Sequence, residues 1–498
     1  MLSSAVSRPR KSAVDPAALD GPRVHRPRTA DAGLDATVVN IALPSAQREL
    51  AFADAQRQWV ITAYTLSFGG LLLLGGRVAD AVGRKRALLV GLAGFTVASA
   101  LSGAATGLGT LVAARALQGA FAALLAPTVL SLLAVTFTRL EDRAKAFAVY
   151  GGIAGSGGAV GLVLGGALAQ YLDWRWCLYI NVPIAAVAAV GGWLTIADSR
   201  PAWRPRFDLP GLFLGVGGLM ALVYGCGEAA SHRLLDAAVA APIGTAVALL
   251  ALFVLRESRA DAPLLPLYFL ATRGRAGAYL CVLLAIVAMF GLSLVLTYDF
   301  QVVLGYSPLQ AGAAFLPVSG ALLFSSSAIA GRLMPHLPPR MLMVPGLLVA
   351  GGGMAMRANL RVDSPYAMWV LPAEILLGLG IGCVMVPAIS SGTADVPLGD
   401  AGVASATMNT AQQIGASLGT ALLNTVAAWA ITAYLASHAE TVGTMGAALV
   451  RGYPTAAGFA AALLALAAVL AGALITAGKP AVRTSGPSVE RQLVQAGG

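Results

Sequence analysis

Apolar stretches of about 20 residues, separated by short polar connections, recur along the chain from Trp59 onward. They run over roughly 59–78, 87–106, 110–137, 144–171, 175–197, 209–228, 237–255, 276–298, 309–331, 341–357, 367–391, 403–434 and 455–477. A helix needs about 20 apolar residues to cross a bilayer core, so each run predicts a membrane-spanning helix. Strands are disfavoured, because the runs are long and lack the period-2 alternation of a membrane barrel. Before Trp59 the pattern changes. Residues 1–31 are polar and basic, and only 32–43 is membrane-like, about 18 Å of helix. That stretch reads as the second half of a first span whose first half is missing, through a disrupted or mis-started N-terminus. No hydrophobic region follows the basic one, which argues against a signal peptide.

Composition sharpens the class. Of 498 residues, 57% are hydrophobic and 11% charged, with a mean hydropathy of +0.76. A soluble domain carries about 25% charged residues, so a soluble enzyme, a secreted protein and a disordered chain are all excluded. The net charge of +10 then points to basic cytoplasmic loops and not to nucleic acid. With 32–43 counted as span one, the even-numbered connections hold Arg77, Arg84, Lys85, Arg86, Arg139, Arg143, Lys145, Arg200, Arg204, Arg206, Arg256, Arg259, Arg273, Arg275, Arg332 and Arg340. The opposite side holds Arg48, Arg57, Arg175, Arg233, Arg357, Arg361 and Arg451. With both tails included, about 25 of the 33 basic residues fall on one side, which fits fourteen crossings with both termini cytoplasmic. The four cysteines (Cys177, Cys226, Cys281 and Cys383) stand apart in apolar runs and read as small buried hydrophobes, with no disulfide or metal use.

A weak internal repeat organises the spans. Gly76-Arg77-Val78 leads to Lys85-Arg86, and Gly331-Arg332-Leu333 leads to Arg340. The expected order is a basic tail (1–31), an N-terminal half (32–200, spans one to six), two inserted spans (201–260), a C-terminal half (261–478, spans nine to fourteen) and a cytoplasmic tail (479–498). Repeated halves with a site between them are the usual build of secondary transporters.

An ionisable group at a helix centre in lipid costs about 2.5–3.5 kcal/mol on insertion scales, so each one is a functional candidate. Asp35, with Thr37 and Asn40 after it, is either a proton-exchanging carboxylate or a cap on a short helix. Arg115 supplies a fixed positive charge, or packs against a neighbouring helix through a backbone carbonyl. Gln118 follows it by one turn. Glu374 either binds a cation or faces a water-filled crevice, and Asp299 and Glu228 read as wet at the membrane edge. Asn409, Gln412 and Gln413 form a polar stripe that is interhelical glue or substrate contact. The fifth span is rich in glycine, with Gly155, Gly157, Gly161, Gly165 and Gly166 at spacings that let a partner helix approach closely. No lysine- and serine/threonine-bearing P-loop, histidine relay or cofactor loop is present in the sequence, so an enzyme is disfavoured.

Several motifs together resemble one family. Asp35-Ala36-Thr37-Val38-Val39-Asn40-Ile41-Ala42-Leu43-Pro44 resembles the first-span motif of the fourteen-span drug:proton antiporters of the major facilitator superfamily. The Gly76–Arg86 stretch resembles the superfamily's loop between spans two and three, Arg115-Ala116-Leu117-Gln118-Gly119 its fourth-span motif, and Gly155–Gly166 the antiporter motif of span five. Trp174-Arg175-Trp176, Ile180-Asn181-Val182-Pro183 and Gly305-Tyr306-Ser307-Pro308-Leu309-Gln310-Ala311-Gly312 are similar to this branch too. The resemblance implies an all-α bundle of two six-helix halves plus two central helices, which exports a small organic molecule in exchange for protons. It implies a proton-linked role for Asp35, an influence of Arg115 on proton movement, and a cytoplasmic charge cluster of Asp80 and Arg84 beside Gly76. Gln118, Glu374, Asn409 and Gln413 are expected along the substrate cavity. The expected setting is a plasma-membrane monomer that meets protons, lipid and a small molecule, driven by the proton gradient with no cofactor and no nucleic acid. Family members commonly carry prolines where this chain has Gly158 and Leu162, and the acid of the loop between spans two and three has no equivalent in the second half, where Pro335 stands. An importer or symporter, or a transport-incompetent paralogue with a broken first span, are the alternatives.

Overall fold

The computed structural model describes residues 31–53, 56–136, 157–196, 208–229, 232, 236–260, 263–265, 267, 271–359, 366–393, 401–437 and 444–475. At 31–37, 73, 80, 134–136, 303, 401–403, 405, 444–447, 449 and 450 the backbone alone is described. Among the described residues every regular element is a helix. In chain order they are α1 (Asp31–Leu50), α2 (Gln58–Val82), α3 (Arg84–Gly103), α4 (Leu108–Thr136), α5 (Gly157–Tyr171), α6 (Trp176–Thr195) and α7 (Leu209–Glu228). Then follow α8 (Ala237–Glu257), α9 (Arg273–Val302), α10 (Pro308–Leu333), α11 (Pro339–Arg357), α12 (Tyr366–Thr393), α13 (Ala401–Ser437) and α14 (Thr444–Leu474). Eleven of them, α3, α4 and α6 to α14, are long and apolar enough to cross a membrane. In lipid a backbone must satisfy its own hydrogen bonds, and a helix does so within one segment, which is why the long apolar runs fold this way.

Two expectations need correction. The helix at the first motif is 20 residues long, not 12, because it continues past Leu43 through Pro44 to Leu50. Asp299 was expected at a wet edge, but its side chain is 15% exposed and paired inside the bundle.

The helices before and after the central pair pack as two groups. In the first, α2 and α3 lie on α4, and α6 on α3; in the second, α9 lies on α13 and α14, and α11 on α12 and α14. The halves meet along three seams, α1 with α9, α5 with α10, and α2 with α13. Close approach at the α5–α10 seam needs glycine. A Cβ on Gly166 would stand 2.5 Å from the Pro308 carbonyl oxygen, and one on Gly312 would stand 2.3 Å from that of Leu162. The inserted pair leaves both halves intact, since α7 rests in the groove between α2 and α13 and carries α8 on its outer side. In α8 only 11% of the apolar window is buried, against 67% in α9, so α8 is a lipid-facing element and α9 a central one.

The two ends of the bundle differ in charge. One, here the basic end, holds the Gly83 turn with Arg84, Lys85 and Arg86, together with Arg256, Arg273, Arg275, Arg332 and Arg340. Gly83 has φ 98°, a region that favours glycine, which explains a glycine between two helices that meet without a linker. The other, far end holds the last turns of α1, α5, α9 and α11 and the first turns of α2, α6, α10 and α12.

Candidate functional site

Arg115 lies on α4 and is 1% exposed. Its Nε donates to the Val60 carbonyl of α2 at 3.2 Å, and its Nη1 donates to Gln118 Oε1 at 2.7 Å. The guanidinium carbon sits 4.3 Å from the centre of the Tyr64 ring. Gln118 passes the chain on, donating to Ser99 Oγ of α3 at 2.7 Å. The bond to a neighbouring backbone carbonyl foreseen for Arg115 is present. Buried charges survive only when paired or fully hydrogen-bonded, and this fork across α2, α3 and α4, with the π face of Tyr64, supplies part of that.

A second polar layer joins the halves near the far end. Arg57, at the start of α2 and 4% exposed, donates from Nε to Asn424 Oδ1 of α13 at 2.8 Å, and its guanidinium lies 3.9 Å from the Tyr298 ring centre of α9. Asn424 donates in turn to Gln58 Oε1 at 3.3 Å. One turn deeper, the Thr62 and Thr420 hydroxyls meet at 3.0 Å. On the α1 side, Asn40 donates to Ser293 Oγ of α9 at 2.8 Å, Gln301 Nε2 donates to the Ile41 carbonyl at 3.0 Å, and the Tyr298 hydroxyl donates to Gln47 Oε1. This layer closes the space between the halves at that end.

A third cluster belongs to the C-terminal half. Arg357, the last residue of α11, donates from Nη2 to Asp299 Oδ2 at 2.9 Å. Glu374 of α12 is 1% exposed and lies 3.3 Å from the Tyr366 hydroxyl, which has a nearer acceptor in the Ala314 carbonyl at 2.9 Å. Asp299 and Tyr366 each begin a short π-helical stretch, 299–303 and 366–370.

The other expected residues distribute as follows. The backbone of Asp35 lies in α1 and that of Asp80 in the last turn of α2, with both side chains outside the described residues. Arg84 opens α3 directly after Gly83, and a Cβ added to Gly76 would meet Pro127 of α4 at an ordinary 3.5 Å. Gly155 lies outside the described residues; Gly157, Gly161, Gly165 and Gly166 lie on α5, where Gly165 faces Val38 of α1. Asn409 and Gln413 are half-buried on α13, and Gln413 crosses α2 so closely that a Cβ on Gly69 would stand 2.6 Å from its own Cβ. Glu228, the last residue of α7, lies 3.4 Å from Nδ1 of His232 beyond the helix. The structure thus brings Arg115 and Gln118 together, and it keeps both apart from the cluster that holds Glu374.

The Major Facilitator Superfamily profile matches residues 29–420. The chain belongs to that superfamily. As a major facilitator protein it is a membrane transporter and not an enzyme. It is 52% identical over 444 residues to the puromycin resistance protein pur8 of Streptomyces alboniger, covering 89% of this chain and 88% of that one. It is 39% identical over 410 residues to the cephamycin export protein CmcT of Amycolatopsis lactamdurans, covering 81% and 84%. Among solved structures, the crystal structure of a bacterial homologue of the human lysosomal transporter Spinster, inward-facing and occupied, superposes with a TM-score of 0.63 at 15% identity, covering 89% of this chain and 93% of that one. That likeness is one of fold.

Two residues of this major facilitator bundle escaped the sequence reading. Arg57 and Arg357 counted there as loop charges, yet both are nearly fully buried. A faint signal existed for Arg57, which adjoins a long apolar run and stands beside the polar Gln58; Arg357 shows none, because its partner is Asp299. In Asp299 the partner lies on another helix, and no spacing rule reaches it.

Proposed function

We propose that the protein exports an antibiotic or related small organic molecule by alternating access, in exchange for protons. The reading is supported by relatives that match more than four-fifths of the chain, one named for resistance to puromycin and one for export of cephamycin. The observation that carries the alternating-access part is the far-end layer of Arg57, Asn424, Thr62, Thr420, Asn40 and Ser293. It holds the halves together with single hydrogen bonds, each worth about 0.5–1.5 kcal/mol net, more where one partner is charged. A seal of that strength closes one end and still opens when cargo or a proton favours the other state.

In this reading fourteen spans place both termini and the basic end in the cytoplasm, and the far end faces outward. Asp35 carries the exchanged proton and Arg115 biases it. Asp80 and Arg84 form a cytoplasmic latch, and Gln118, Glu374, Asn409 and Gln413 contribute to the transport path. The protein works as a monomer in the plasma membrane, and the proton gradient is its sole driving force. Inward proton movement supplies about 2.3 kcal/mol per charge per 100 mV of membrane potential.

The test is export of puromycin and a cephamycin from a sensitised host, followed by drug-dependent proton release from the purified protein in liposomes. Both drugs or one should leave faster with the protein than without it, and a protonophore or Asp35→Asn should abolish the difference. Equal accumulation with and without the protein refutes export. Undiminished export after the gradient is collapsed refutes proton coupling.

A further inference from the structure

Three helices converge on one guanidinium at the far end of the C-terminal half. Arg357 ends α11, Asp299 lies in the last turns of α9, and Glu374 with Tyr366 belongs to α12. Arg357 is committed to Asp299 through Nη2, while its buried Nη1 has no hydrogen-bond partner. Glu374 shows the complement: Oε2 lies 3.3 Å from the Tyr366 hydroxyl, whose single proton has a nearer acceptor in the Ala314 carbonyl at 2.9 Å, and the buried Oε1 has no partner. The Phe300 ring packs against Tyr306, Phe315 and Tyr366 at centroid distances of 5.9, 5.3 and 6.0 Å, which walls the cluster with aromatic surface. One cation therefore faces two carboxyl groups, and a buried carboxylate with at most a single neutral hydrogen bond is unstable as an anion. The idle donor on Arg357 and the idle acceptor on Glu374 are the two sides of a second possible ion pair.

We propose that Glu374 is a proton-binding site of the C-terminal half, and that Arg357 changes partner between Asp299 and Glu374 as the proton moves. In the arrangement seen, Glu374 holds the proton and Asp299 is the carboxylate bound to Arg357. When Arg357 turns to Glu374, the Glu374 O–H bond breaks, and an O–H bond forms on Asp299. Arg357 stays charged, and the net charge of the cluster is unchanged. Asp299, 15% exposed against 1% for Glu374, is then the member that exchanges its proton with water. Beside Glu374 stands Tyr366 on its own helix, a neutral hydroxyl, with Tyr306 before α10 next to Tyr366 in turn, while α13 carries no acid, lysine, arginine or histidine. The π-helical turns at Asp299 and Tyr366 fit a moving element, since such turns recur at functional sites.

The place of this step in transport rests on the proton-driven reading above, so its test uses the resting protein without drug. Infrared difference spectra of the purified full-length chain in lipid nanodiscs, between acid and alkaline buffers, report the carbonyl stretch of a protonated, weakly hydrogen-bonded carboxyl group. The wild type is expected to keep that band at neutral pH, and Glu374→Gln to lose it. Asp299→Asn mimics the protonated aspartate and frees Arg357, so it is expected to remove the same band although Glu374 is still present. Asp35→Asn is expected to leave it in place. A band of full strength in Glu374→Gln, or in Asp299→Asn, overturns the proposal. Melting curves establish that each variant is folded. Drug export measured separately on the wild type decides the transport reading, and either result there leaves the infrared outcome intact.

Discussion

Arg57 and Asn424 stand 367 positions apart and meet through a 2.8 Å hydrogen bond that ties the first half of the bundle to the second. Both residues are nearly fully buried, and the guanidinium also lies over Tyr298. A hydrogen bond to a charged group contributes about 1.5–3 kcal/mol, and 1.4 kcal/mol is a tenfold change in an equilibrium. Asn424→Ala should therefore shift the population toward the state open at the far end by roughly tenfold or more. The check is a single cysteine at Thr420, in a background with the four native cysteines replaced, labelled with a membrane-impermeant maleimide. Labelling should accelerate by about the same factor. An unchanged rate means that the bond does not hold the halves shut.

The α5–α10 seam predicts an asymmetry between two glycines of one helix. A Cβ on Gly312 would overlap the Leu162 carbonyl oxygen at 2.3 Å, and backbone cannot yield as a flexible side chain does. A Cβ on Gly320 would meet nothing within 4 Å. Gly312→Ala should destabilise the protein by about 1–3 kcal/mol or push the seam apart, whereas Gly320→Ala should be silent or slightly stabilising. Thermal unfolding of the two variants in the same detergent checks this, and equal midpoints would sink the packing account.

Much of the helix order could be read from the chain because lipid allows so few structures. A 20-residue apolar run has one way to satisfy its backbone there, so α7 and α8 begin and end within two residues of where the hydropathy placed them. Glu374 stood out for the same reason, as an acid with apolar neighbours on both sides. Its setting did not. That Arg357 reaches back to Asp299, 58 positions earlier, depends on the packing of α9 and α11 against α12 and α14, and no local periodicity encodes it. Arg57 misled in the same manner, since an arginine before an apolar run looks identical whether it faces water or bridges two halves. The length of α1 was underestimated because Pro44 and the polar residues after it look like a stop, although a helix can carry them where neighbours pack against it.

Arg115 should not tolerate lysine. Its Nε and Nη1 serve two acceptors on different helices, and its flat face covers Tyr64, a combination that an ammonium group cannot reproduce. Arg115→Lys should lower transport by roughly tenfold or more while the protein remains folded, and Arg115→Ala should add a loss of stability of about 3–5 kcal/mol, as expected on breaking a buried charge network. Initial rates of drug export and melting temperatures, measured together, separate the two effects. Wild-type export by the lysine variant would show that the charge suffices without the fork.

Glu49, beyond the apolar stretch that ends at Leu43, predicts a pH effect with a defined sign. Hydrogen bonds from Trp174 Nε1 at 2.6 Å and Arg175 Nη2 at 2.7 Å hold its carboxyl below the usual carboxylate range. A group whose folded pKa is lowered contributes stability that is present in full above its unfolded pKa, about 4.3, and lost as pH falls through the folded value. The clamp that ties α1 to the turn before α6 should therefore hold at neutral pH and weaken only in acid below about 4. Because nearly half of the side chain is exposed, solvent screens the contribution and the effect should be modest. Glu49→Gln should bring the neutral-pH melting temperature toward the acid value of the wild type and flatten the slope of melting temperature against pH in that window. If the variant keeps the wild-type slope, the acid sensitivity belongs to other carboxylates and this clamp is not what α1 relies on.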